Sequence, residues 1–329
     1  MEEFRKVGLA TCTALVLANM IGTGVFTSLG FQVAVLSSPF LILMLWTLGG
    51  VVALCGAMSY AELAAALPRS GGEYHFLTKA YHPSVGFMGG FVSISVGFAA
   101  PIALAAMAFG KYFAAAVPGT PSGAVSMTVV LLLAAVHALT VKASGRFQLV
   151  ITGMKITLIA VFIGIGFVKG FQSPADFTPR ADFLREAVSG PFAVSLVFVL
   201  YSYSGWNAAA YIINEVRNPQ ETVPRALILA TLGVTVLYVA LNAVFLGSGP
   251  MRDFADRIEV GEIAARNLLG VRGGQIMSGL IAAGLVSAIS AMTWAGPRVA
   301  QTVGQDFPAL GFLARTSPGG VPRSALLLQ

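Results

Sequence analysis

Apolar residues fall in blocks of roughly 18 to 30 along this chain, separated by short polar or glycine- and proline-rich stretches. About 20 apolar residues suffice for a helix to cross the hydrocarbon, and no ten-residue alternating pattern points to a barrel. The blocks predict spans at 8–35, 39–66, 84–116, 124–141, 147–168, 190–214, 224–247 and 274–303. A further apolar run at 321–329 reads as the start of a ninth span, so the chain is expected to be truncated after about eight. The predicted class is an all-α polytopic membrane protein, and residues 1–329 read as one transmembrane domain. The opening "MEEFRK" is followed by no small-residue cleavage site, and it does not read as a cleaved signal.

Composition agrees with the pattern. The chain is 56% hydrophobic and 10% charged, with a mean hydropathy of +0.81, where a soluble domain carries about a quarter charged residues. Lys and Arg divide unevenly between alternate loops. With the N-terminus inside, the inner set is Arg5, Lys6, Arg69, Lys79, Lys142, Arg146, Arg217, Arg225, Arg298, Arg315 and Arg323. The outer set is Lys111, Lys169, Arg180, Arg185, Arg252, Arg257, Arg266 and Arg272. The excess of inner charges predicts a cytoplasmic N-terminus and a multi-pass protein of the cell (plasma) membrane. Because the basic residues are scattered one or two per loop, the high isoelectric point reflects topology and not a nucleic-acid surface. Cys12 and Cys55 both fall inside spans, so no disulfide-linked heavy subunit is expected. His75, His82 and His137 lie too far apart to form a metal set, and neither a cofactor motif nor an enzyme signature is present.

Two spans carry helix-breaking residues at mid-depth. The first contains "MIGTGVFT" (20–27) and the sixth "FVLYSYSGWNAAAY" (198–211). A membrane helix is interrupted only where protein, water or ligand meets the freed backbone groups, so each break is expected to line a cavity. Close helix packing would explain one glycine pair. Two breaks five spans apart favour a secondary transporter with a five-plus-five inverted repeat, discontinuous helices 1 and 6, and substrate at the midplane. The first repeat is expected at about 8–168 and an incomplete second one at about 190–329.

Four segments, "IGTGVF" (21–26), "AELAAALPRSGGEYHFL" (61–77), "VITGMKITLIA" (150–160) and "YSYSGWNAAAYIINEVRNPQETVPRAL" (201–227), also carry a resemblance. The chain resembles the amino acid–polyamine–organocation transporter superfamily, in its L-type amino acid transporter-like branch. The resemblance implies about twelve spans, alternating access, and an aromatic at Tyr201 that closes over the substrate. It also implies that Lys155 stands where sodium sits in coupled relatives, between the break in helix 1 and helix 8, near Ser287 or Ser290.

The residues themselves suggest how the breaks would bind. N–H groups around Ile21, Gly22, Thr23 and Gly24 open a half-helix whose positive pole suits a carboxylate, and carbonyls around Tyr201, Ser202 and Ser204 suit an ammonium. Trp206 joins Tyr201 as a gating candidate. Asn207 and Ala208, with Ser93 and Val96 of span 3, are loosely placed pocket candidates. No Asp or Glu falls at mid-span in the first, third, sixth or eighth helix, which points to neutral L-amino acids. Lys155, alone among basic residues well inside a span, is the candidate for coupling, and Glu62 and Glu215 are candidates for closing the inner side. The expected function is sodium-independent exchange or proton-linked transport of a neutral amino acid. A cationic amino acid or polyamine exchanger, or a non-transporting sensor on the same scaffold, is the alternative.

Overall fold

The computed structural model describes residues 7–117, 119–169, 177–181 and 183–329. Arg5 and Lys6, counted above for orientation, lie outside the described residues. The described chain is helical almost throughout: α1 Leu9–Met20, α2 Gly24–Val33, α3 Pro39–Ala66, α4 Glu73–Ala80, α5 Pro83–Val92, α6 Ala100–Ala116, α7 Ser122–His137, α8 Val141–Lys169, α9 Phe183–Ala187, α10 Gly190–Tyr203, α11 Pro219–Ser248, α12 Val260–Asp306 and α13 Arg323–Leu328. Among the described residues, six helical stretches are long and apolar enough to cross a membrane: Leu9–Val33, Pro39–Ala66, Pro83–Ala114, Val141–Lys169, Pro219–Ser248 and Val260–Asp306. The other two predicted spans are the shorter apolar helices Ser122–His137 and Gly190–Tyr203.

Local chemistry fixes the ends. Proline stands in the first turn of α3, α5, α10 and α11, where the missing N–H costs nothing. Ser189 caps α10 by accepting a hydrogen bond from the Phe192 N–H. Between α5 and α6 the chain widens into a π-helical stretch, Ser93–Ala99. Pro101 supplies the reason, since it has no N–H to return to the preceding turn.

Three predicted boundaries are corrected. Span 5 starts at Val141, earlier than position 147. Span 6 is helical only to Tyr203 and continues as 3₁₀ turns at Ala208–Tyr211 and Ile213–Glu215. The supposed outer loop 248–273 is largely helix, because α12 begins at Val260 and turns at Gly270 (φ 77°) before its long apolar section. The hydropathy pattern hid this first part, since its charged residues lowered the average.

The core is apolar, and so is much of the outer surface, unlike that of a water-soluble protein. Val51, Met58, Leu131, Val150 and Val236 face outward, while Gln32, Asn242, Lys155 and Arg298 are buried. Without a hydrophobic drive between helices in lipid, close approach matters, and small residues provide it. A Cβ on Gly49 of α3 would lie 2.4 Å from Val199 of α10, and one on Gly50 2.3 Å from Thr235 of α11. Helix α3 therefore seats against both. Helices α8, α11 and α12 enclose α1, and α2 rests on α10.

Candidate functional site

Helix α1 ends where Ile21 leaves helical geometry (φ −82°, ψ 85°), and α2 begins at Gly24. The carbonyls at the end of α1 have no following turn to accept from, and buried side chains serve them instead. Lys155 Nζ donates to Ile21 O at 2.6 Å and Ala18 O at 3.4 Å. The Tyr238 hydroxyl donates to Met20 O at 2.7 Å, and the Ser202 carbonyl lies 3.1 Å from the same oxygen. One phenol thus ties the break in the first helix to the end of α10. Its ring is held edge-on to Trp46 at 5.4 Å and against Tyr203 at 5.0 Å.

The second break follows Tyr203. Ser204 turns extended (ψ 153°) and Gly205 takes φ 98°, a conformation that glycine alone adopts without strain. A side chain there would also meet the Asn19 backbone at 2.9 Å. The two breaks are therefore in direct contact. Gly24 faces Ser202, whose hydroxyl donates to Phe198 O at 2.9 Å and lies 3.0 Å from the Ser28 hydroxyl.

A cavity of about 100 Å³ opens between them, lined by Asn19, Met20, Gly22, Thr23, Gly24, Tyr201, Ser202 and Ser204 of the breaks. Pro101, Leu104 and Ala105 of α6 and Ala288 and Met292 of α12 complete it. None of these residues is charged. The first-turn N–H groups of α2 and the last carbonyls of α10 bring opposite partial charges to one place. Thr23 and Leu104 also line a larger cavity, about 460 Å³, with Lys111, Glu259 and Glu262 at its edge.

Gly22, Thr23, Gly24, Tyr201, Ser202 and Ser204 thus gather around one space, as their sequence positions suggested. Several other candidates lie elsewhere. Ile21 is buried with its carbonyl on Lys155 and faces a small apolar cavity beside α8 and α12. Asn207 donates to Glu73 Oε1 at 2.5 Å, and Ala208 is enclosed in the 3₁₀ turn. Trp206 rests on α3, 5.0 Å from the Tyr60 ring and over Gly56, away from the cavity. Ser93 is half-buried and Val96 exposed on the π-helical stretch, and Pro101 and Leu104 take the place expected for them.

Lys155 is 3% exposed, about 21 Å along α8 at 1.5 Å per residue. Its stem packs on Gly284 of α12, whose added Cβ would lie 3.6 Å from Cγ. The expected hydroxyl partners are otherwise engaged. Ser287 Oγ meets Thr152 Oγ1 at 3.2 Å, while Ser290 Oγ donates to Gln148 Oε1 at 2.7 Å and meets His137 Nε2 at 2.8 Å. Both serines lie nearer the His137 end of α8, joining it to α12. His137 is thereby a buried core residue bonded through Nε2.

Below the breaks, Glu215 accepts from Arg298 Nε at 2.8 Å and from Trp294 Nε1 at 2.9 Å, all three buried. Glu62 is exposed. Arg298 is therefore the arginine that the Glu215 carboxylate meets, and Tyr238 and Glu73 are the residues that sequence reasoning missed. For Tyr238 no local signal existed; for Glu73 the glycines before it were the only hint.

A family description, amino acid permease, matches residues 7–329. The chain belongs to the amino acid permease family. This is a family of transporters and not of enzymes. Among relatives, the Asc-type amino acid transporter 1 of Mus musculus is 28% identical over 275 residues, covering 81% of this chain and 52% of the relative. The b(0,+)-type amino acid transporter 1 of Mus musculus is 30% identical over 256 residues, covering 73% and 51%. The serine/threonine exchanger SteT of Bacillus subtilis (strain 168) is 29% identical over 303 residues, covering 90% and 67%. The chain spans about half the length of the first two.

Proposed function

We propose that this permease moves a small neutral amino acid across the cell membrane by alternating access, without sodium, and that the cavity between the two breaks is its substrate site. The uncharged lining carries this reading: a zwitterion needs only the two helix poles, while a cationic side chain would require a carboxylate in the wall. The ligand's carboxylate would lie over Gly22–Gly24 and its ammonium near the carbonyls after Tyr201, with the Tyr201 ring at the mouth. A cavity of about 100 Å³ is well below the ~300 Å³ at which drug-sized sites begin, which favours a small side chain. The similarity to a serine/threonine exchanger supports the same size class. The five-plus-five inverted repeat and the cytoplasmic N-terminus belong to this reading, as does an exchange or proton-linked mode in which Lys155 replaces a coupling cation.

Counterflow into proteoliposomes tests it. Labelled serine or alanine should exchange equally with and without sodium, and leucine and arginine more slowly. Preference for arginine would favour a cationic carrier, and binding without counterflow a sensor.

A further inference from the structure

The segment 69–74 is fastened on two sides at once. Toward the end of α12, Arg69 holds Asp306 through two nitrogens at 2.8 and 3.1 Å, and the Tyr74 hydroxyl donates to the same carboxylate at 2.7 Å. Toward the chain after the second break, Ser70 and Asn214 exchange hydrogen bonds, the Ser70 N–H to Oδ1 at 3.3 Å and the Asn214 N–H to Oγ at 2.9 Å. Glu73 completes that side. Its Oε1 accepts from Asn207 Nδ2 at 2.5 Å and from the Tyr211 hydroxyl at 2.7 Å. Asn207 and Tyr211 are themselves 2.9 Å apart, so the three groups form a closed triangle.

Two features make this more than a loop contact. Glu73 forms no ion pair among the described residues, so its charge is spent on neutral donors, where it makes bonds roughly twice as strong as a neutral acceptor would. The chain it holds has only short 3₁₀ turns, whose poorer hydrogen-bond geometry leaves position to tertiary contacts. Gly72 brings the backbone close enough. It has φ 52°, and a Cβ there would lie 2.4 Å from the Tyr211 ring.

We infer that Glu73 is a positioning residue for transport, its carboxylate holding segment 207–211 so that the substrate cavity stays closed on the side of α4. This rests on the transport reading above. The bonds to Asn207 and Tyr211 must release for that side to open, and their loss should change turnover more than substrate affinity.

The test uses the whole protein in proteoliposomes, in a Cys55→Ser background, since Cys12 is fully buried and Cys55 exposed. Exchange kinetics are measured alongside labelling of Ala208→Cys by a membrane-impermeant maleimide. Ala208 is 1% exposed, so its labelling reports loosening of the segment without any need for transport. Glu73→Ala should lower the maximal exchange rate at least tenfold, leave KM within threefold, and speed labelling about tenfold. Glu73→Gln keeps the Oε1 acceptor without its charge, so both readings should fall between those of Glu73→Ala and the parent. If Glu73→Ala does not insert, the pair Tyr211→Phe and Asn207→Ala removes the donors instead, with the same expectation. Unchanged labelling and rate, or Glu73→Gln no better than Glu73→Ala, overturns the assignment. A parent protein that labels as expected but exchanges no amino acid counts against the transport reading and leaves the Glu73 contact decided by labelling.

Discussion

The Lys155 ammonium rests 2.6 Å from the carbonyl of Ile21, a contact that joins the middle of α8 to the frayed end of α1. A compact cation at the negative pole of a helix offsets the partial charge of its last carbonyls, which is what the coupling role proposed above requires. Lys155→Ala should therefore lower exchange at least tenfold, and Lys155→Arg should not rescue it, because a planar guanidinium does not fit a site shaped for an ammonium. Uptake by both variants, with and without sodium, checks this. Full activity in Lys155→Ala would leave the lysine a structural role only.

Tyr238 joins Met20 and Ser202 through one hydroxyl. In Tyr238→Phe the ring packing survives while Met20 O keeps only the Gly22 N–H, so stability should fall by about 1 kcal/mol. Thermal unfolding in detergent measures that loss. Exchange should fall further than stability explains, since the hydroxyl links the two breaks.

Gly24 has no room for a side chain. A Cβ would stand 2.6 Å from Ser202 Oγ and 3.0 Å from Ser202 Cα, so the pressure falls on the facing break and not on the cavity alone. Gly24→Ala should abolish detectable substrate binding in the folded protein. Adding Ser202→Gly should restore part of it; a double variant as inactive as the single one would show that the steric account is incomplete.

Glu215 and Arg298 form a buried pair, and removing one partner strands the other charge. Either Glu215→Ala or Arg298→Ala should cost about 3–5 kcal/mol of stability. The double variant should lose less than the two single losses combined, which a double-mutant cycle reads directly.

His75 lies in α4, where burial, then Arg69 and Lys79, hold its imidazole below the ordinary histidine range. The unfolded chain takes up that proton near pH 6.5, before the folded one does. Stability is thus fully present above about pH 6.5 and declines as the pH falls through it. His75→Gln should flatten the fall in melting temperature between about pH 7.5 and 5.5 relative to wild type. An identical slope in the two proteins would exclude this contribution.

What the amino-acid order determined by itself is the helical framework, its two interruptions and its family. Those depend on nearest-neighbour facts: runs of apolar residues, and glycine or serine where a membrane helix can be broken only beside a cavity. The depth of Lys155 in its span was legible for the same reason, by counting residues, while its place beside the first break came from the family resemblance. The tertiary structure decided which groups complete the breaks. Tyr238 reaches Met20 across 218 positions, Glu73 reaches Asn207 across 134, and Ser287 and Ser290 turn to Thr152, Gln148 and His137 instead of the lysine. A hydroxyl on an apolar helix carries no mark of its partner in hydropathy or spacing, because the angle at which helices cross and the small residues that let them approach select it.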